Sequence, residues 1–389
     1  MSQNTLRAQW HYPSEILVGC GAIQHLASCC KQLGIHAPML VTDPALATSE
    51  MVACAIKHCI CHNLHCGLFS KVDSNPTEQN VSDGVAAYRF GQYDGIIAIG
   101  GGSALDCAKA VALMSGQSLP LWQFEDSGEN WTYADAAAIA PVIAIPTTAG
   151  TGSEVGRAAV ITDQQRQVKR IIFHPDMLPK RVILDPQLTV SLPTALTAAT
   201  GMDALSHNLE ALCAPGFHPM ADGIALEAIR LIRENLPKAV EDGGNLEARL
   251  QMLVASTMGA TAFQKGLGAM HALAHTIGGI YNAHHGLLNA ILMPYVLYAN
   301  RGAITPITLR CCDYLGLEQR SFDCFLSWII DLRTTVGIPH SLSEIGIDRY
   351  DPDRIGRMAV LDPSAAGNPV SFSAQQYSSI CRNAILGVL

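Results

Sequence analysis

No stretch of this 389-residue chain is apolar and uninterrupted for long enough to span a bilayer, and Met1–Gly19 lacks the basic start and apolar run of a secretory signal. Neither a membrane anchor nor export is therefore expected. Charge is scarce. Asp, Glu, Lys and Arg together make 15% of the residues, and the balance is −8, which argues against nucleic acid or an anionic membrane surface as a partner. The thirteen cysteines are odd in number and scattered, so no disulfide framework is expected and the compartment reads as a reducing cytoplasm. There is no internal repeat, no low-complexity segment, no G-x-G-x-x-G and no Walker A sequence. What is plentiful is apolar: 49% of the residues are hydrophobic, in a chain long enough for two or three cores.

The first half alternates short buried runs with helical patterns. Apolar runs bounded by breakers fall at Pro38–Thr42, Gly95–Ile99, Val142–Ile145 and Val182–Leu184, with helical periodicity over Thr77–Arg89 and Ala104–Met114. Such alternation predicts βαβ units and a mostly parallel sheet, with a ligand crevice at the strands' carboxyl ends. Glycines and hydroxyls stand at those ends. Gly100-Gly101-Gly102-Ser103 follows one strand and opens a helix, where backbone N–H groups and the helix dipole favour a phosphate. Ser103 and Asp106 have capping-box spacing. Pro146-Thr147-Thr148-Ala149-Gly150-Thr151-Gly152-Ser153-Glu154 follows another strand, and Asp43 ends a third, where it can accept from a ribose diol or act as a solvated turn residue before Pro44.

After Leu184-Asp185-Pro186 the strand signals stop. Helical patterns cover Thr194–Ala214, Met220–Asn235, Leu246–Gln264, Ala269–Tyr281, Leu287–Asn300 and Arg320–Val336, while Gly243-Gly244, Gly302 and Asp351-Pro352-Asp353 read as loop punctuation. The reading is an α/β dinucleotide-binding domain with a parallel sheet, residues 1–188, followed by an all-α domain, residues 189–389. The metal candidates lie in the second. Asp203 and His207 are four residues apart, as are His271 and His275, and His284-His285 follows. Side chains at that spacing share a helix face, and imidazole with carboxylate suits iron, zinc or manganese. Cys54, His58, Cys59, Cys61, His62, His65 and Cys66 crowd one segment without any C-x2-C spacing. With Val52–Lys57 read as helix running into a short strand, they are expected to scatter as a structural cluster.

Four motifs in order, Gly100-Gly101-Gly102-Ser103-x-x-Asp106, Pro146 to Glu154, Gly201-Met202-Asp203-Ala204-Leu205-x-His207 and Gly268-x-x-His271-Ala272-x-Ala274-His275, closely resemble the iron-containing (group III) alcohol dehydrogenases from about Thr42 to Tyr298. The resemblance implies a dehydroquinate-synthase-like fold with metal and nicotinamide in a cleft between the two domains. It matches Asp203, His207, His271 and His285 to the metal ligands, and His275 to a histidine near the nicotinamide that can carry a proton. Spacing alone would pair His271 with His275. It matches Asp43 and Asn75 to the adenosine side, Gly101, Gly102, Ser103 and Asp106 to the pyrophosphate turn, Thr147, Thr148 and Thr151 to the nicotinamide end, and Lys169 and Leu188 to further cofactor contacts.

The implied activity is hydride transfer between NAD(H) and a small alcohol or aldehyde on a divalent metal, Fe(2+) by family with Zn(2+) suited to the same donors. The assembly expected is a homodimer or higher homo-oligomer. Glycerol-dehydrogenase-like polyol oxidation is an alternative. A dehydroquinate-synthase-like lyase would need a strongly basic pocket, and the segments around His207 and His271 have almost no Lys or Arg apart from Lys265. This chain departs from the pattern at His284, where many members have proline, at Ala158, where some have asparagine, and in a shortened loop at Phe263-Gln264-Lys265. Apolar residues at Phe263, Leu267 and Tyr281 suggest a small, modestly polar substrate.

Overall fold

The computed structural model describes Tyr12 and residues 15–166, 168–348 and 351–389, so the reading of Met1–Gly19 lies largely outside the described residues. The described residues form two compact units, one within 15–191 and one of Tyr12 with those of 192–389.

In chain order the first unit runs β1 (Glu15–Val18), α1 (Leu26–Gln32), β2 (Pro38–Val41), α2 (Pro44–Ala47), α3 (Glu50–Cys61), β3 (Gly67–Phe69), α4 (Glu78–Phe90), β4 (Gly95–Gly100), α5 (Gly102–Met114), β5 (Val142–Pro146), β6 (Ala158–Asp163), β7 (Val168–Phe173) and β8 (Arg181–Leu184). Six strands form one parallel sheet in the order β1-β8-β5-β4-β2-β3. Every residue of β2, β4 and β5 is buried, which is why these strands appear in the sequence as unbroken apolar runs rather than alternations. Successive side chains still point to opposite faces. Met39, Val41, Ile96 and Ala98 pack with α5 on one side, whereas Leu40, Ile97, Ile99 and Ile183 pack with α1 and α3 on the other.

Three readings need correction here. β6 and β7 form a separate antiparallel hairpin that the sequence pattern did not announce. α3 continues to Cys61 instead of passing into a strand after Lys57. Ser49 caps its start, and no residue in the helix breaks it. Cys59 is consequently buried while Cys54 and Cys61 face solvent. The third concerns α5: its N-cap is Gly101 with no side-chain cap, so Ser103 and Asp106 form no capping box. The Asp106 carboxylate turns into the protein. It accepts from Ser153 Oγ and from Val160 N (2.9 Å), and it pairs with Lys109 Nζ at 3.2 Å. The carboxylate thus holds the β6–β7 hairpin and a buried ammonium against α5.

The second unit contains α6 (Thr194–Cys213), α7 (Pro219–Glu241), α8 (Leu246–Ala262), α9 (Ala269–Tyr281), α10 (His285–Ala299), α11 (Arg301–Leu315), α12 (Phe322–Thr335), α13 (Pro352–Ala359) and α14 (Ala374–Leu386), with no strand among the described residues. α6 is its axis. From Thr197 to Cys213 every residue is buried, the signature of a helix surrounded by others. Two loop readings are also overturned. Gly302 lies inside α11, and Asp351-Pro352 starts α13, with the Asp351 carboxylate accepting from the N–H groups of Asp353 and Arg354 and Pro352 at the first helical position.

The Lys109–Asp106 pair is nearly dry, with the lysine side chain 2% and the aspartate 15% exposed. Removing one partner leaves an uncompensated charge, a change that costs about 3–5 kcal/mol in comparable pairs. Asp106→Ala is expected to lower the urea midpoint of the first unit, by an unfolding free energy (midpoint shift times slope) in that range, and Asp106→Asn by less. An unchanged midpoint in Asp106→Ala would show that the carboxylate is not a structural anchor.

Candidate active site

In the helical unit, Asp203, His207 and His271 bring one potential ligand atom each to within 4.8 Å of one another, all buried; among the described residues no other such group occurs. α6 supplies Asp203 and His207 one turn apart, and α9 supplies His271, whose ring stacks on His207 at a centroid distance of 4.7 Å. His285, the first residue of α10, stands at the rim, with Nε2 3.8 Å from Asp203 Oδ1.

Two residues absent from the sequence reading organise these four. Glu210, three residues beyond His207 on α6, receives the Gly268 N–H at Oε2, the Met270 N–H at Oε1 and His271 Nδ1 at Oε2, each at 2.7 Å. It thereby caps an α9 start that has no side-chain cap of its own. Since a carboxylate only accepts, His271 donates from Nδ1 and presents the Nε2 lone pair to the site. Burial works against the charged form of His271, but Glu210 outweighs it and the pKa is raised. The only sequence signal for Glu210 was its spacing from His207.

The second is Asn289, one turn beyond His285. Its Nδ2 lies 2.8 Å from Asp203 Oδ1, 3.2 Å from His271 Nε2 and 3.1 Å from His285 Nε2. An amide nitrogen has two hydrogens. Three partners converging on it therefore exceed what two hydrogens can satisfy, and a carboxylate oxygen with two imidazole nitrogens gathered at one point is a donor set a divalent cation would take. The donor set of one carboxylate and three imidazoles fits a first-row metal.

Glycines let the helices approach this closely. A Cβ on Gly286 of α10 would meet Ala199 O of α6 at 2.7 Å and Asp203 Cβ at 3.0 Å, and one on Gly259 of α8 would meet His207 Cβ at 3.2 Å. His284 is exposed, and its Nδ1 accepts from Leu287 N at 3.3 Å as the N-cap of α10. His275, one turn past His271, is half-buried and stacks on His285 at 5.2 Å. Phe263 packs its ring 5.2 Å from that of His207.

In the first unit Gly101, Gly102, Ser103, Thr147, Thr148 and Thr151 gather at the carboxyl ends of β4 and β5. Gly100 has φ +149, and a Cβ there would meet Ala104 Cβ at 2.7 Å; a Cβ on Gly102 would meet Thr151 at 2.6 Å and one on Gly101 would meet Thr148 at 3.5 Å. The turn thus lies directly under the threonine loop, and Thr147 N bonds Gly100 O. The lack of a side-chain cap on α5 leaves its first N–H groups suited to an anion. Ser103 Oγ donates to Ser74 O at 2.5 Å, which draws the Asn75 turn toward α5. Asp43 caps α2, its Oδ1 accepting from Ala45 N and Leu46 N, while Oδ2 lies toward Gly100. Lys169 pairs with Thr162, whose N–H bonds Pro76 O. Leu188 packs against the opposite core, beside Ile143 and Ile183.

A parallel α/β unit with a phosphate-suited turn, joined in one chain to a helical unit with a histidine–carboxylate centre, defines a metal-dependent oxidoreductase linked to a nicotinamide dinucleotide. Residues 13–186 match the family described as "Iron-containing alcohol dehydrogenase" and residues 197–385 match "Fe-containing alcohol dehydrogenase family, C-terminal"; the chain belongs to this family. It is 38% identical over 378 residues to the 4-hydroxybutyrate dehydrogenase of Cupriavidus necator, covering 94% of this chain and 97% of that one. Among solved structures it is similar to a 1,3-propanediol oxidoreductase (TM-score 0.91, 34% identity, 97% of this chain and 100% of that chain). It is also similar to the sulfoacetaldehyde reductase from Bifidobacterium kashiwanohense in complex with NAD+ (TM-score 0.88, 26% identity, 97% and 99%). The protein is accordingly an enzyme acting on CH–OH groups.

Gly286→Ala removes no ligand yet must push α10 from α6. It is expected to lower bound metal at least tenfold, on the scale of lost supporting contacts at metal sites, measured by elemental analysis after dialysis. Full occupancy would show that helix spacing does not set the site.

Proposed function

We propose that Asp203, His207, His271 and His285 hold Fe(2+) and that the enzyme interconverts a short alcohol and its aldehyde with NAD(H). The observation carrying this is the convergence of Asp203, His271 and His285 on the Asn289 amide, beside His207. Bound metal supplies Lewis acidity at the substrate oxygen and the nicotinamide exchanges the hydride. The chain's residues do the remainder. Glu210 keeps the His271 lone pair aimed at the site, Phe263 sets an apolar ring against His207, and His275 carries a proton between substrate oxygen and water. Gly101, Gly102 and the first turn of α5, including Ser103, take the pyrophosphate. Thr147, Thr148 and Thr151 take the nicotinamide end, with Lys169 and Leu188 as further contacts. Asp43 and Asn75 take the adenosine, and the Asp43 carboxylate would repel a 2′-phosphate, favouring NAD over NADP.

The compounds after which the similar enzymes are named, 4-hydroxybutyrate, 1,3-propanediol and sulfoacetaldehyde, each have a second polar group, which supports a short substrate that has one. Thirteen free cysteines support a cytoplasmic setting. Among the described residues the sheet ends on β1, where Val18 is about half exposed, and a second copy covering that edge would give the expected homo-oligomer.

The test is NADH oxidation by anaerobically purified, iron-loaded protein against short aldehydes with and without a distal polar group. Stoichiometric loss of NADH absorbance is expected, fastest for the ω-substituted aldehydes; absence of turnover at full metal occupancy would overturn the reading. Zinc-loaded protein in the same assay decides whether iron is required. His271→Ala and Asp203→Ala are expected to lose metal and activity together, whereas His275→Ala should keep its metal and lose about 10²–10⁴-fold in kcat. Full metal occupancy in the first two variants would show that other residues are the ligands.

A further inference from the structure

Asp362 lies just beyond α13, and no sequence motif marks it. Its Oδ1 accepts the Ser364 N–H at 2.8 Å, capping the short turn Pro363–Gly367, and its Oδ2 stands 3.0 Å from His275 Nδ1. The carboxylate is mostly buried, 14% exposed. Burial alone would raise its pKa, but the His275 imidazole and the Ser364 amide outweigh burial, and the net shift is downward. An ionised carboxylate accepts and cannot donate, so the hydrogen in this contact belongs to His275 Nδ1. In the neutral ring the other nitrogen, Nε2, then keeps its lone pair. The ring plane is fixed as well, lying within 15° of parallel to His285.

We infer that Asp362 is a positioning residue for His275, holding the imidazole in the Nδ1–H tautomer so that Nε2 is the atom that receives a proton from the alcohol, or returns it to the aldehyde's oxygen. The inference rests on the reading of His275 as the proton carrier. The logic is that of any base oriented by a carboxylate: the carboxylate itself gains no proton, and its removal leaves the base present but in the wrong state. Because Asp362 also caps a turn, a purely local structural role is the competing account, and the two differ in what an isosteric amide should do.

In Asp362→Asn the Ser364 N–H must still find an oxygen, so the amide oxygen takes Asp362 Oδ1's place and the NH2 group faces His275. Two donors cannot share a hydrogen bond; His275 must therefore accept at Nδ1 and carry its hydrogen on Nε2, the wrong tautomer. Full-length, metal-loaded Asp362→Asn is expected to keep wild-type thermal stability, metal content and KM for NADH while kcat falls at least about tenfold. In a His275→Ala background the same substitution should change kcat by less than about twofold, since nothing remains to be oriented. Wild-type kcat in Asp362→Asn, or an equal fall in both backgrounds, would overturn the inference. A normal kcat in His275→Ala alone would instead sink the proton-carrier reading beneath it, so the two failures are distinguishable. Asp362→Ala serves as the second variant: rates lost together with stability would favour the turn-capping role.

Discussion

The carboxylate of Glu210 is the interaction on which the helical unit's chemistry depends. It is buried, it belongs to the helix that carries Asp203 and His207, and it reaches across to the start of α9. Helix starts expose N–H groups that need acceptors, and α9 begins at a glycine with none to offer. One carboxylate therefore fixes where α9 begins, how it is rotated and which nitrogen of His271 faces the ligand set. A buried anion without such partners would be costly, and three N–H donors at 2.7 Å are what make it tolerable. Packing and function are not separable at this residue.

The spacing of helices around it is set by small residues. Gly201, Gly259 and Gly286 each stand where a methyl group would strike a neighbouring helix. In a helix interior glycine costs roughly 1 kcal/mol relative to alanine. Gly201 and Gly259 occupy interior positions, while Gly286 is in the first turn of α10, so at two of the three close approach is worth more than local helix stability. The same argument holds in the first unit, where Gly100 and Gly102 allow the threonine loop to lie on the turn.

The sequence reveals features whose cause is local and hides those whose cause is tertiary. Buried parallel strands such as Ile96 to Ile99 are legible because burial on both faces leaves no polar residue in the run. The helix α9 and its neighbours are legible through periodicity. By contrast, the hairpin Ala158–Asp163 and Val168–Phe173 is held partly by Asp106, fifty residues away in the chain, and that pairing leaves no pattern. Ser103 and Asp106 match a capping box in spacing, yet the helix starts earlier because Gly101 can adopt the cap conformation and Asp106 has better partners inside. Gly302 and Asp351-Pro352 look like breaks. One sits in a helix's first turn, where glycine costs little, and the other is itself a helix start. Glu210, Asn289 and Asp362 escaped the reading because a carboxylate or amide becomes informative only when its distant partner is known.

The pair His271 and His275 shows the difference most sharply. Four residues apart on one helix, they satisfy the spacing rule for two ligands of one metal. In the structure their rings meet edge to face at 5.8 Å and 70°, and each is claimed by a different carboxylate: Glu210 from α6 takes Nδ1 of His271, and Asp362 from beyond α13 takes Nδ1 of His275. Their surroundings differ too. His271 is 1% exposed and faces Asn289 and Asp203, whereas the His275 side chain is 17% exposed and borders His285. A fully enclosed imidazole can hold a metal but has no path for a proton to reach water; a partly open one, oriented by its own anion, has that path. Spacing places two imidazoles on one face, and the carboxylate behind each decides what that imidazole can do.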